Sequence, residues 1–169
     1  DCGDCFGGNY GDFDGDGTCD ANDASPYGEV SLSFASITEG YVEVHYSSDV
    51  AIYGYQFRFN GATIISTSGS FDITSSNPAS GIVIGSSTSG ESLAAGTGVL
   101  VAISFEAMLD GSEISLSEIV VGGEEATNIV ASSAGSESVP ACENNDGDLF
   151  CNVTDAWPNC SDDGSDPYD

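Results

Sequence analysis

From residue 30 to about 133, apolar and polar positions alternate with a period of two, as they do in strands with one buried face. Leu32 and Phe34 share one parity, as do Val42, Val44 and Tyr46. Tyr53, Tyr55, Phe57 and Phe59 set an aromatic row on one face of a longer strand, and Val99, Val101, Ile103 and Phe105 repeat the pattern further on. Ile114 with Leu116, then Ile119 with Val121, complete the series. Turn signals divide these runs at Glu39-Gly40, Asn60-Gly61, Gly69-Ser70, Gly85 to Gly90, Asp110-Gly111 and Gly122-Gly123. Strong helix signals are missing. About eight or nine short strands predict an all-β, two-sheet antiparallel sandwich, with the aromatic row in its core.

The two ends break this alternation. Residues 12 to 23 read Asp-Phe-Asp-Gly-Asp-Gly-Thr-Cys-Asp-Ala-Asn-Asp. Asp12, Asp14, Asp16, Asp20 and Asp23 occupy positions 1, 3, 5, 9 and 12 of a loop with Gly17 at position 6, and the carbonyl of Thr18 stands at position 7. Calcium takes six to eight hard oxygens, and this spacing supplies them from one coiled loop. Without a cation, five carboxylates on so short a segment repel one another. The pattern returns near the other end: Asp14-Gly15-Asp16 as Asp146-Gly147-Asp148, Cys19 as Cys151, Asp23-Ala24 as Asp155-Ala156, and Pro26 as Pro158. The second loop then offers Asn144, Asp146, Asp148, the Phe150 carbonyl, Asn152 and Asp155, with Leu149 in place of the position-6 glycine. Ca2+ is the expected ion in both.

Composition sharpens this reading. The 169 residues carry 28 acidic side chains against one Arg (Arg58) and no Lys, a formal charge of −27. A small domain usually carries a net charge of roughly 2 to 8 in magnitude, so bound cations or screening salt must offset the excess. Nucleic acid and anionic membrane are excluded as partners, since both require cationic patches. No apolar run approaches the ~20 residues of a membrane-spanning helix. The first residues show no initiator Met or apolar leader, as expected of a processed secreted chain.

Six cysteines, Cys2, Cys5, Cys19, Cys142, Cys151 and Cys160, lie three at each end. An even set in a secreted chain points to disulfides; Cys2 and Cys5 also have the C-x-x-C spacing of a zinc site, which the Asp-rich surroundings disfavour. Full pairing requires an odd number of bridges between the two ends. Within one chain such a bridge closes a long loop worth about 4–5 kcal/mol in the chain-entropy model; between chains it is a polymer link. The expected organisation is a Cys-containing calcium segment over 1–29, a sandwich over 30–137, and a second calcium segment over 138–169.

The strand sequences Tyr41-Val42-Glu43-Val44, Ile52-Tyr53-Gly54-Tyr55-Gln56-Phe57-Arg58-Phe59, Gly98-Val99-Leu100-Val101-Ala102-Ile103-Ser104-Phe105 and Ile114-Ser115-Leu116-Ser117-Glu118-Ile119-Val120-Val121 resemble cohesin domains and related carbohydrate-binding sandwiches. The resemblance implies a jelly-roll sandwich and an extracellular scaffolding role. The terminal loops are similar to dockerin calcium loops or thrombospondin type-three repeats. A helix follows each dockerin loop, and Ala24-Ser25-Pro26-Tyr27-Gly28 leaves no room for one, so the helix-free thrombospondin-like class fits better.

Other chemistry is sparse. His45 stands out of phase with Val44 and Tyr46 and is expected to face solvent; Arg58 is out of phase with the aromatic row and is expected to answer a nearby carboxylate. No nucleophile elbow accompanies the single His, and no carboxylate pair stands out, so the chain is not expected to be an enzyme. The reading is a secreted, calcium-binding structural protein that assembles with copies of itself into a filament or surface array. The alternative is a cohesin-like or carbohydrate-binding adhesion module, with other extracellular proteins or polysaccharide as partners and calcium as a stabiliser only.

Overall fold

The computed structural model describes residues 11–145, 147, 151 and 152. Cys2, Cys5, Asp146, Asp148, Phe150, Asp155 and Cys160 lie outside the described residues. Ten strands follow in order: β1 (Glu29–Thr38), β2 (Tyr41–Ser48), β3 (Gly54–Asn60), β4 (Ile64–Gly69), β5 (Ile73–Asn77), β6 (Ile82–Ser86), β7 (Gly96–Phe105), β8 (Ser112–Gly122), β9 (Asn128–Ser132) and β10 (Ser136–Val139). One short 3-10 turn, Glu124–Ala126, separates β8 from β9.

The strands form the two layers that the alternation predicts. One layer runs β4-β7-β2-β1 and the other β5-β6-β3-β8, with β10 beside β8. β9 sews them together. Its Asn128 and Ile129 pair antiparallel with Gly122 and Val121 of β8, while Val130–Ser132 run parallel to Glu29–Ser31 of β1. A strand that turns the corner keeps its direction, so the expectation of a wholly antiparallel sandwich fails at this one pair.

The aromatic row is the core from Tyr55 onward; Tyr53, expected with it, precedes β3 and is only half-buried. Tyr55, Phe57 and Phe59 are buried; Tyr55 stacks on Phe57 at 5.7 Å, and Phe59 meets Phe105 across the sandwich at 5.7 Å. Each such side chain contributes about 1.5–3 kcal/mol when taken out of water. Around them pack Val42 and Val44 of β2, Val83 of β6, Ile103 of β7 and Ile114 of β8, all with no exposed surface.

One expectation of parity needs correction in β7, and a bulge explains it. Val99 was expected inward with Val101; it is 38% exposed, while Leu100 and Val101 are both fully buried. β2 pairs Val44 with Val101 and His45 with Val99, leaving Leu100 as the extra residue that flips the strand's facing. In β8 the expected change of phase, from Ile114 and Leu116 to Ile119 and Val121, is observed, and it falls where Glu118 takes a left-handed φ of 53° between the pairs Arg58↔Ser117 and Gln56↔Val120. Gly85, expected in a turn, lies inside β6, where the Tyr55 ring crosses it: a Cβ there would stand 2.1 Å from Tyr55 Cε1.

Tyr55 links packing to pH dependence. Its hydroxyl is buried without a partner in hydrogen-bond geometry. Burial pushes its pKa up to about 12, against a smaller pull from Thr74. The unfolded phenol ionises near 10 and the folded one near 12, so stability is lost as pH rises through that window. Tyr55→Phe is therefore expected to keep or raise the neutral-pH melting temperature and to flatten its fall above pH 10; a marked drop at neutral pH would show a hydrogen bond at this hydroxyl. Gly85→Ala should cost about 1–3 kcal/mol by overpacking, read from the denaturant midpoint.

Candidate metal centre in the aspartate loops

The N-terminal loop coils around its own carboxylates. Asp12 Oδ2 accepts the Gly17 N–H at 3.2 Å, Asp14 Oδ1 that of Asp16 at 3.1 Å, and Asp16 Oδ1 that of Thr18 at 2.6 Å. Asp20 closes the loop twice, its Oδ1 accepting the Phe13 N–H at 2.9 Å and its own N–H donating to the Gly11 carbonyl at 2.9 Å. Asp23 Oδ1 takes the Ser25 N–H at 2.9 Å. The alternating spacing brings one oxygen each from Asp12, Asp14 and Asp16 within 4.8 Å of one another.

This geometry leaves two oxygens with nothing to bind. Asp12 Oδ1 and Asp23 Oδ2, at loop positions 1 and 12, are buried without a hydrogen-bond partner. A carboxylate oxygen shut away from water and from donors is costly, and these two belong to residues that open and close the expected ligand set. Burial, with the fields of Asp16, Asp23 and Asp49, holds the Asp14 carboxyl above its ordinary range, against the pull of the Asp16 N–H. The donor set is all hard oxygen, which fits calcium by ligand type.

The described part of the second loop closes as the first does. The Asn145 N–H donates to Asn152 Oδ1 at 3.0 Å, and the Asn152 N–H donates to the Glu143 carbonyl at 2.8 Å. In loop numbering these are the two bonds that Asp20 makes, position 2 to position 9 and position 9 to the residue before the loop. Gly15 and Gly147, both at position 4, share a left-handed φ of 77°. Asn144 Oδ1 accepts the Gly147 N–H at 2.8 Å, where Asp12 instead reaches Gly17. Asn152 thus makes the closing bonds of Asp20, while Asn144 bonds otherwise than Asp12.

Each loop is fastened to the sandwich. Phe13 packs edge-on against Tyr27 at 5.3 Å, and Asp14 shares a cleft with Asp49, just past the end of β2. At the other end of β2, the Glu143 N–H donates to Glu39 at 3.3 Å and the Cys142 N–H donates to the Met108 carbonyl at 3.1 Å. A disulfide joins Cys142 to Cys151, with Cα atoms 5.6 Å apart and both residues buried. Cys19 is half-buried and has no disulfide partner among the described residues, while Cys2, Cys5 and Cys160 lie outside them.

On the sandwich surface, Glu43 accepts from the hydroxyls of Ser36 and Tyr41 and meets His45 Nε2, each at 3.0 Å. These bonds, His45 first, hold the Glu43 carboxyl below its ordinary range. Ser36 bonds the carboxylate, not the imidazole, which is not a nucleophile–base arrangement. Arg58 grips Glu118 with two bonds of 3.1 Å, the carboxylate partner its phase implied.

The shared closing bonds give a direct check. Asp20→Ala and Asn152→Ala each remove the position-9 acceptor, at a cost of about 1 kcal/mol. Amide exchange should speed up at Phe13 in the first variant and at Asn145 in the second; unchanged exchange at both would refute the common closure.

No family model and no curated protein matches this chain. Among solved structures it is similar to one chain of a type I cohesin–dockerin complex from Clostridium thermocellum, at a TM-score of 0.52 and 12% identity, over 69% of this chain and 96% of that one. It is also similar to a cohesin module of a family 33 glycoside hydrolase from Clostridium perfringens, at a TM-score of 0.48 and 14% identity, over 67% and 95% of the two chains. A non-cellulosomal cohesin from Archaeoglobus fulgidus gives 0.47 and 12%, over 67% and 92%. At such identities the likeness is one of fold, and on the first of these structures the sandwich is cohesin-like.

Proposed function

We propose that this protein is a secreted, non-catalytic recognition module of cohesin type, stiffened at both ends by calcium. What carries the reading is the combination of a cohesin-like sandwich with two loops closed by the same pair of bonds, the first holding orphaned carboxylate oxygens. Asp12, Asp14, Asp16, the Thr18 carbonyl, Asp20 and Asp23 would hold one ion, and Asn144, Asp146, Asp148, the Phe150 carbonyl, Asn152 and Asp155 a second. Calcium would supply the positive charge that lets these oxygens converge. The similar Clostridium thermocellum structure is a cohesin with its dockerin, and by that likeness the partner here is another extracellular protein.

Two measurements test this. Calcium at about 100 times its dissociation constant adds about 2.7 kcal/mol of stability, so melting should rise with calcium and fall with chelator. Asp12→Asn combined with Asp23→Asn should remove most of the effect of the first loop. Calorimetry with neither heat nor a melting shift would refute calcium binding. Binding to purified dockerins in calcium supports the recognition reading; retention on polysaccharide with no protein binding would replace it with a carbohydrate-binding role.

A second reading is favoured by one observation. The loops lie at opposite ends of β2, the first beside Asp49 and the second bonded to Glu39. Connectors at opposite ends suit a head-to-tail contact, which repeats into an open filament. Electron microscopy of the native material is then expected to show filaments that dissolve in chelator, or in chelator with reductant; filaments unchanged by both would refute it.

A further inference from the structure

Among the described residues two serines are buried, Ser25 and Ser48, and both bond to Glu29, the first residue of β1. The Ser25 hydroxyl donates to Glu29 Oε1 at 3.0 Å. The Ser48 hydroxyl lies 3.2 Å from the Glu29 carbonyl and 2.9 Å from that of Val50. The Glu29 N–H donates in turn to Asp49 Oδ1 at 2.8 Å. Just before it, the Gly28 carbonyl accepts the Val130 N–H at 3.1 Å, where β9 begins its parallel run beside β1. The start of β1 is thus tied to the end of β2 and to β9.

Ser25 also reaches into the first loop. Its N–H donates to Asp23 Oδ1 at 2.9 Å, and its hydroxyl stands 3.4 Å from the same oxygen. A serine hydroxyl has one proton to donate, and two carboxylates, those of Asp23 and Glu29, compete for it. The other oxygen of Asp23 is the buried one without a partner. With that oxygen bare, the two carboxylates repel each other across a donor that is shut away from water. A cation on Asp23 offsets the repulsion and leaves the hydroxyl to Glu29.

We infer that Ser25 couples the first ion site to the sandwich: an ion on Asp23 tightens the Ser25–Glu29 bond and, through Glu29, the pairing of β1 with β2 and β9. The inference rests on the calcium reading above and adds where the effect of the ion goes. β9 joins the two layers, so the effect reaches the corner of the sandwich and not the loop alone. Linkage makes the coupling reciprocal, and a firm junction holds Asp23 in place for the ion. Ser25 lies outside the ligand set and acts through Asp23, as a positioning residue.

The test is amide hydrogen exchange on the whole chain with and without calcium, beside calorimetric titration with calcium. The Phe13 N–H, bonded to Asp20, reports the loop; those of Glu29 and Val130 report the junction. At exchange times short of global unfolding, calcium should slow all three in the native chain, the junction by roughly fivefold or more. Ser25→Ala keeps the N–H bond to Asp23, so calcium should still slow Phe13 but no longer Glu29 or Val130. Its calcium affinity should fall by the factor that the junction loses. Glu29→Gln keeps an acceptor for Ser25 and removes the repulsion, so the junction should exchange slowly before calcium is added, with little further slowing by it. Circular dichroism checks the fold of both variants, and where Ser25→Ala does not fold, Glu29→Gln decides. Calcium that binds and slows Phe13 alone in the native chain overturns the inference and leaves the calcium reading standing. A junction that responds to calcium equally in the native chain and both variants also overturns it. No heat on titration refutes the calcium reading and this inference together.

Discussion

Carboxylate repulsion is the constraint under which this molecule is built. A net charge of −27 with a single Arg leaves almost no internal cations to answer it, and that Arg is spent on Glu118 beside the β8 bulge. Folding therefore rests on two separate devices. The sandwich excludes acid from its interior: its buried core is aliphatic and aromatic. The loops instead gather acid and bind it with backbone N–H groups, one donor per carboxylate at Asp12, Asp14, Asp16 and Asp20.

Those N–H bonds satisfy only part of each carboxylate. They account for one oxygen of Asp12 and one of Asp23 and leave the other buried and bare. Each bond to the backbone also fixes a carboxylate's orientation, so these bonds shape the loop by themselves. The second loop uses amides where the first has carboxylates, Asn144 for Asp12 and Asn152 for Asp20, and keeps the same closure. Neutral acceptors there lower the local charge and with it the need for a cation to hold the loop closed. The Cys142–Cys151 bridge supplies a covalent constraint across that loop.

The sandwich determines where these loops can act. β2 is buried on alternate residues through its length and carries Glu39 before it and Asp49 after it. β4 and β5, at the two ends of the strand order, meet through the Thr67–Ser76 hydrogen bond on the stretch of sequence with least charge. One molecule thus presents acidic, oxygen-rich ends and an uncharged flank.

The sequence alone determined what depends on local chemistry. The period-two pattern specified an all-β sandwich and put Tyr55, Phe57 and Phe59 in its core, because side-chain facing follows directly from residue parity. The internal repeat marked Asn152 as the counterpart of Asp20, and the carboxylate partner of Arg58 was legible from phase alone. Tertiary structure decided what depends on strand pairing. Leu100 turned inward and Val99 outward because β2 skips a residue there, and Gly85 entered a strand because a ring from β3 needed its missing side chain. β9 ran parallel to β1 because it had to leave one sheet for the other. Bulges and corners arise from which strands become neighbours, and the periodicity of a single strand carries no record of its neighbour.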